Sequence, residues 1–180
     1  MIKGNNVILR TIKGSDLKEM FNLSSRLSEK GAFYNLELPS EPLFRKDFKD
    51  TGFWQKNKGK MIITTAKGGE IVGELAFFKG MNNMAGYEIG FQLYSREHWN
   101  KGYMSESVRL FSAYLFALKP IQRLQALVFS QDVASHRVLE KCKYKQEGTL
   151  RKAILHYGNY TDVDVFSLLR EDDPYLSEIL

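Results

Sequence analysis

Trp99-Asn100-Lys101-Gly102-Tyr103-Met104-Ser105-Glu106-Ser107 is the stretch whose reading decides the fold. A short glycine-containing loop runs directly into an amphipathic helix with apolar Val108, Leu110, Phe111, Tyr114 and Leu115. It follows a strand-like run from Tyr87 to Leu93. A helix N-terminus leaves several backbone N–H groups without intrahelical partners and carries partial positive charge, so it suits a phosphate or pyrophosphate. Gly102 lets an anion approach the main chain closely. The stretch therefore predicts a ligand with a diphosphate.

Working outward, Val7 to Ile12 reads as a first strand. Ser15 to Glu19 reads as a helix start, with Asp16 as N-cap and Glu19 three residues on, and Leu17, Met20, Phe21 and Leu27 supply its apolar face. A second helical region spans Ser40 to Asn57 and ends near Gly59. Lys60 to Ala66 and Ile71 to Phe78 are strands flanking Gly68-Gly69, a pair suited to a hairpin turn; no helix follows it, so it is not a phosphate loop. Gly86 to Leu93 is the next strand, with Gly90 as a bulge or kink position. The helix from about Gly102 to Leu118 stops at Lys119-Pro120. Strand Arg123 to Phe129, helix Ala134 to Cys142, and strands Lys145 to Arg151 and Asp162 to Leu169 complete the chain. A meander followed by strand–helix–strand–helix–strand predicts a mixed α/β or α+β sheet. The strands on either side of the 102–118 helix either pair in parallel through a right-handed crossover or splay apart around a cleft.

The 180 residues suit a single domain spanning 1–180 with a full core. No run of eighteen apolar residues exists and Met1 to Asn6 lacks an apolar signal region, so neither membrane insertion nor secretion is expected. The lone Cys142 cannot form an internal disulfide and fits a reducing cytoplasm; it reads as a buried structural thiol. A net charge of +5 is too modest to point to nucleic acid, although it suits an anionic cofactor. His98, His136 and His156 show no ligand spacing with Cys142, so no metal is expected.

Together these residues resemble the GNAT acetyltransferase superfamily, and within it the RimJ/RimL type that acetylates the N-termini of ribosomal proteins. The resemblance runs through Leu9-Arg10, Val72-Gly73, Glu88 to Phe91, Trp99 to Ser107, Asp132 to Lys141, Glu147-Gly148, Gly158 and Asp162. It implies an α+β fold with a central, mostly antiparallel sheet of about seven strands, flanked by helices, with a splayed parallel pair forming an acetyl-CoA cleft. Trp99, Asn100, Lys101, Gly102, Tyr103 and Met104 would cradle the pyrophosphate, and Phe91, Gln92 and Leu93 would give main-chain N–H and C=O groups to the pantetheine arm. Three positions depart from the superfamily pattern. Trp99 stands where Arg or Gln is frequent, Met104 where Gly or Ala is usual, and Asp132 where Asn begins the helix motif. Asp132 keeps the ability to cap that helix but cannot donate a side-chain hydrogen bond to the cofactor.

Acetyl transfer from a thioester needs a neutral amine, a stabilised oxyanion and a proton for the leaving thiolate. An α-amino group, with an ordinary pKa just under 8, needs only a modest base or a water relay. Glu88, just before the expected splay, is the first choice of base or else a charged residue on the outward face of its strand; His156, in the last hairpin, is the second choice or else a solvent-exposed loop histidine, and Ile154 stands where some RimL-type enzymes have a Glu. Ser135 matches the serine placed beside the acetyl-CoA sulfur in RimL-like enzymes, whereas the superfamily tyrosine position holds Leu139. The main-chain N–H of Gln92 is the oxyanion donor. Phe33, Tyr34, Phe53 and Trp54 fall in the region that borders the acceptor site in this superfamily and read first as core. The expected acceptor is a primary amine, first a protein N-terminal amine. The alternatives are a small amine (a polyamine, an amino acid or an aminoglycoside-like compound) and a non-catalytic acyl-CoA-binding module. A homodimer is compatible with the resemblance.

Overall fold

The computed structural model describes residues 1–29, 31–34, 36–80 and 86–178. Among the described residues there are eight strands: β1 (Ile2–Lys3), β2 (Val7–Arg10), β3 (Lys58–Thr65), β4 (Ile71–Phe78), β5 (Gly86–Leu93), β6 (Arg123–Phe129), β7 (Lys145–His156) and β8 (Asn159–Leu169). Four α-helices accompany them: α1 (Leu17–Ser24), α2 (Glu41–Thr51), α3 (Tyr103–Leu118) and α4 (Val133–Lys141). The strand order is β1-β2-β3-β4-β5-β6-β8-β7. This is the expected α+β architecture, with eight strands rather than about seven. The additional one is β1, whose two residues pair with Leu9 and Ile8 of β2 and are too few to show a period in sequence.

By contacts the chain forms two compact units, Met1–Phe78 with Phe91–Ser107, and Lys79–Gly90 with Val108–Leu180. In the first unit β1 to β4 are antiparallel neighbours. The β3–β4 turn closes through Thr65 N–H donating to the Glu70 carbonyl at 2.9 Å, as the Gly68-Gly69 pair predicts. Ile12, Leu17, Met20, Phe53, Ile62, Ile71 and Tyr94 form one buried cluster, with Leu23, Phe44 and Phe48 packed against it. The N-cap expected of Asp16 is absent. Its residue is already helical, and its buried carboxylate turns instead to Arg10, at 2.7 and 2.9 Å, and to the Lys13 N–H at 2.7 Å. A paired guanidinium holds a carboxylate more strongly than a backbone amide can. The second helix is shorter than its predicted 40–57 span because Gly52 ends it, in the left-handed conformation (φ 60°) and with its N–H on the Phe48 carbonyl at 2.7 Å. Phe53 and Trp54 thereby leave the helix. Phe53 packs on Phe44 and Phe48 at ring distances of 5.0 and 5.5 Å, and Trp54 meets the edge of Phe77 at 5.2 Å.

In the second unit, β6 pairs antiparallel with β8 along its whole length, and β8 pairs with β7. The buried side of this unit is supplied by Val108, Phe111, Leu115 and Phe116 of α3, Leu124 of β6, Leu139 of α4 and Phe166 and Leu168 of β8. Arg170 donates to the Phe116 carbonyl at 2.7 Å, satisfying one of the orphan acceptors at the end of α3. β7 extends five residues beyond its predicted end at Arg151. Register shifts between Gln146 and Gly148 and between Leu150 and Ile154 break its alternation, so a two-residue period does not reveal the second half. Cys142 is buried, and burial pushes its thiol up to about 12, which makes it inert at neutral pH.

β5 and β6 form the one parallel pair among the described strands. Their register runs from Gly86↔Arg123 to Glu88↔Gln125 and ends there, although the strands continue to Leu93 and Phe129. Of the two arrangements open to the sequence, parallel pairing is present over these three residues, and no further pairs follow Glu88↔Gln125.

Candidate active site

β5 carries the first part of the site. A Cβ added to Gly73 of β4 would lie 2.3 Å from the Gln92 carbonyl, so only glycine lets the backbones of residues 73 and 92 approach this closely. Tyr94 N–H bonds to the Val72 carbonyl at 2.9 Å and fixes the end of the strand. The three proposed pantetheine contacts are not equivalent. The Tyr34 hydroxyl accepts the Leu93 N–H at 3.3 Å and donates to the Leu93 carbonyl at 2.8 Å. A backbone N–H has one proton to give, so the Leu93 N–H is engaged by Tyr34. Tyr34 thus touches the strand itself, a contact the sequence reading of Tyr34 as core did not contain.

The loop that follows has the backbone of an anion cradle. Asn100 has φ 59° and Gly102 φ 79°, while Lys101 between them keeps a negative φ. Alternation of this kind turns successive N–H groups toward a common point. The first hydrogen bond of α3 is donated by Glu106 N–H to the Gly102 carbonyl at 3.1 Å, so the amides of Gly102, Tyr103 and Met104 precede the helical ladder. A Cβ on Gly102 would meet no atom within 4 Å, and Asn100, Lys101 and Gly102 are exposed, which leaves the loop open to an incoming group. Trp99 is half-buried and braces the loop, its ring 3.1 Å from where a Cβ on Gly31 would stand and 5.9 Å from the Arg96 guanidinium. Met104 is buried, so its length is absorbed inside and its amide is unchanged. Glu106 accepts the main-chain N–H groups of Asn5 and Asn6 and so ties the N-terminal segment to the first turn of α3. A diphosphate fits this cradle: the donors are main-chain amides at a helix start, and the only side-chain charge in residues 99–104 is that of Lys101.

The second unit holds Glu88, Asp132 and Ser135 as two hydrogen-bonded pairs. Glu88 is half-buried, and its Oε2 accepts from the Gln125 amide at 3.2 Å. Burial raises its pKa above the ordinary glutamate value, and the Gln125 hydrogen bond opposes the rise. With Gly80, Gly86, Tyr87, Arg123 and Gln125 it lines a cavity of about 10 Å³, near the size of a single water. Asp132 caps α4 as expected: Oδ1 accepts the Ser135 N–H at 3.1 Å and Oδ2 the Ser135 hydroxyl at 2.6 Å. Both oxygens are thereby used within the cap, so here Asp132 acts on Ser135. His156 ends β7 half-buried, with its ring 4.7 Å from Phe129 and 4.6 Å from Tyr157. His98 is buried, with Nε2 3.5 Å from Glu70 and 3.4 Å from Glu97, both exposed carboxylates. Glu70 comes from the β3–β4 hairpin, so no sequence spacing could have joined it to His98.

Glu74 was not anticipated. It is the lone carboxylate of an otherwise apolar strand and is only 14% exposed. Its Oε1 accepts from the Gln92 amide at 2.7 Å and from Lys60 at 3.3 Å, and its Oε2 from the Tyr94 hydroxyl at 2.9 Å. Burial and the Glu74 charge push the Tyr94 phenol well above its ordinary value, so it stays a donor.

Residues 6–145 match the acetyltransferase (GNAT) domain family. Over 94% of the chain the sequence is 27% identical to YoaA of Bacillus subtilis (strain 168), described as an uncharacterized N-acetyltransferase, of which 97% is covered. Among solved structures, a RimL ribosomal L7/L12 alpha-N-protein acetyltransferase in complex with coenzyme A superposes with TM-score 0.79 at 18% identity, covering 94% of this chain and 97% of that one. A spermidine N-acetyltransferase from Vibrio cholerae in complex with CoA and spermine gives 0.77 at 18%, covering 94% and 98%. The chain belongs to the GNAT acetyltransferase family and is an acetyltransferase.

Proposed function

We propose that this enzyme acetylates a primary amine, with a protein N-terminal amine as the acceptor, by direct attack of the amine on the thioester of acetyl-CoA. The acetyl donor is acetyl-CoA, which supplies an activated acyl group on a good leaving thiolate. The observation that carries the reading is the loop 99–102: alternating backbone signs at Asn100 and Gly102, opening onto the first amides of α3, directly after a strand whose parallel pairing has ended. Trp99 to Met104 hold the diphosphate through main-chain amides, and Phe91 and Gln92 hold the pantetheine arm. The Gln92 N–H receives the developing negative charge on the thioester oxygen. Glu88 takes the amine proton through a water in its cavity, and its raised pKa suits a base working near neutrality. Ser135 gives its hydroxyl proton to the thiolate and regains one from solvent, while Glu88 releases the amine proton to solvent. The Ser135 hydroxyl donates to Asp132 in the resting state, so its proton is made available by turning the hydroxyl away from the cap. The superposed RimL is compatible with a protein N-terminus and the superposed spermidine N-acetyltransferase, at the same identity, with a small amine. The hydrogen-bonded Glu74, a negative group beside Gln92, favours a second reading in which the acceptor is a small cationic amine.

Purified protein supplied with acetyl-CoA and either short peptides with free N-termini or small primary amines distinguishes the two, with released thiol as the readout. The proposal predicts faster release with peptides. Faster release with every small amine than with any peptide overturns the N-terminal reading, and release with neither class overturns the proposed chemistry.

A further inference from the structure

Lys60 extends from β3 so that its ammonium lies 3.3 Å from Glu74 Oε1 and 6.0 Å from the centre of the Phe53 ring. A carboxylate and an aromatic face around one ammonium form a recognition site for organic cations. The two walls are fixed and the cation is not. Glu74 is held by Gln92 and Tyr94, and Phe53 is only 8% exposed, wedged between Phe44 and Phe48. Phe53 also has φ 53°, a costly conformation for an aromatic residue, sustained by that packing. Lys60, by contrast, is 41% exposed, so its head is reached from solvent. A carboxylate has about four lone-pair positions, and Gln92, Tyr94 and Lys60 use three.

We propose that Glu74 and Phe53 form a subsite for a second positive charge on the acetyl acceptor, which Lys60 occupies in the free enzyme and yields when the acceptor binds. The inference rests on the acetyltransferase reading and names the acceptor class: a primary amine that also carries a separate cationic group. The separate group is required by chemistry. The attacking amine has to be neutral, and a carboxylate in contact with it would hold it protonated. The non-reacting cation has no such constraint, and a carboxylate lined with donors and backed by an aromatic ring stabilises it. Gln92 couples the two ends, because its side chain binds Glu74 and its backbone N–H is the proposed oxyanion donor.

Calorimetric titration of α,ω-diamines of three to eight carbons into CoA-saturated protein tests this, with monoamines of the same lengths alongside. At least one diamine is expected to bind about 10-fold more tightly than its monoamine. Lys60→Gln should tighten that diamine about 5-fold, because the internal competitor is gone, and Glu74→Gln should bring diamine and monoamine to within about 2-fold. No diamine preference in either wild type or Lys60→Gln overturns the subsite, as does a preference that survives in Glu74→Gln or that Lys60→Gln fails to strengthen. Should Glu74→Gln not fold, as judged by its thermal unfolding, wild type against Lys60→Gln decides. Thiol release from acetyl-CoA is a separate readout, so loss of the diamine preference with transfer intact removes this subsite alone.

Discussion

Glu88 owes its proposed role to an unfavourable environment. Half-burial disfavours its charged form, and the single Gln125 hydrogen bond only partly offsets that cost. A base must be ionised to act, so the rate should rise with pH through a limb lying above the ordinary glutamate range. Glu88→Gln should remove the acid limb and lower kcat/KM by about 10²-fold, at the low end of what general bases contribute. An unchanged pH–rate profile would exclude the assignment. Asp16 shows the opposite balance. Its carboxylate is buried but doubly bonded to Arg10, which holds its pKa below the usual value despite the burial. Asp16→Ala leaves the Arg10 guanidinium with the Thr11 carbonyl but without its counter-charge and should cost about 3 kcal/mol in urea unfolding. A loss under about 0.5 kcal/mol would show that the pair adds little.

At the level of elements, the helix starts show when a cap can be read from sequence. Asp132 was legible as a cap because its side chain reaches its own helix three residues on. Asp132→Ala should cost about 1 kcal/mol of stability. It should also free the Ser135 hydroxyl, so stability and transfer rate need not fall together. Asp16, of the same residue type at a similar helix start, was misread because its partner Arg10 belongs to β2 rather than to its own helix. A comparable pair links β7 to β6. Glu147 accepts from Arg123 and from Ser167, and these bonds lower its pKa to about 2. A lowered carboxylate pKa stabilises the fold above the unfolded value of 4.5, and the contribution is lost as pH falls from there toward about 2. With the side chain 43% exposed, the effect should be about 1 kcal/mol or less. Wild type and Glu147→Gln should therefore differ in urea midpoint at pH 7 and converge near pH 2; a gap that widens on acidification would contradict the pairing.

For the molecule as a whole, local chemistry was readable and long-range chemistry was not. The strand–loop–helix run from residue 87 to 118 carries its own signals in apolar spacing and in Gly102, and β4, β5 and β6 have their predicted boundaries. Glu74, Tyr34 and the Lys60–Phe53 contact were hidden because their partners lie 14 or more residues away, except for that last pair, whose meeting depends on the Gly52 turn. One signal could have exposed Glu74: a single carboxylate in Ile71–Phe78, a strand of otherwise apolar residues. Cofactor binding depends on the cradle at residues 100–102. Titrating acetyl-CoA calorimetrically into wild type and into Gly102→Trp, with circular dichroism to verify that both are folded, tests it most directly. Saturable binding near one equivalent in wild type, weakened at least about 10-fold in the variant, is the predicted result; no heat in folded wild type, or equal affinity in the two proteins, would contradict it.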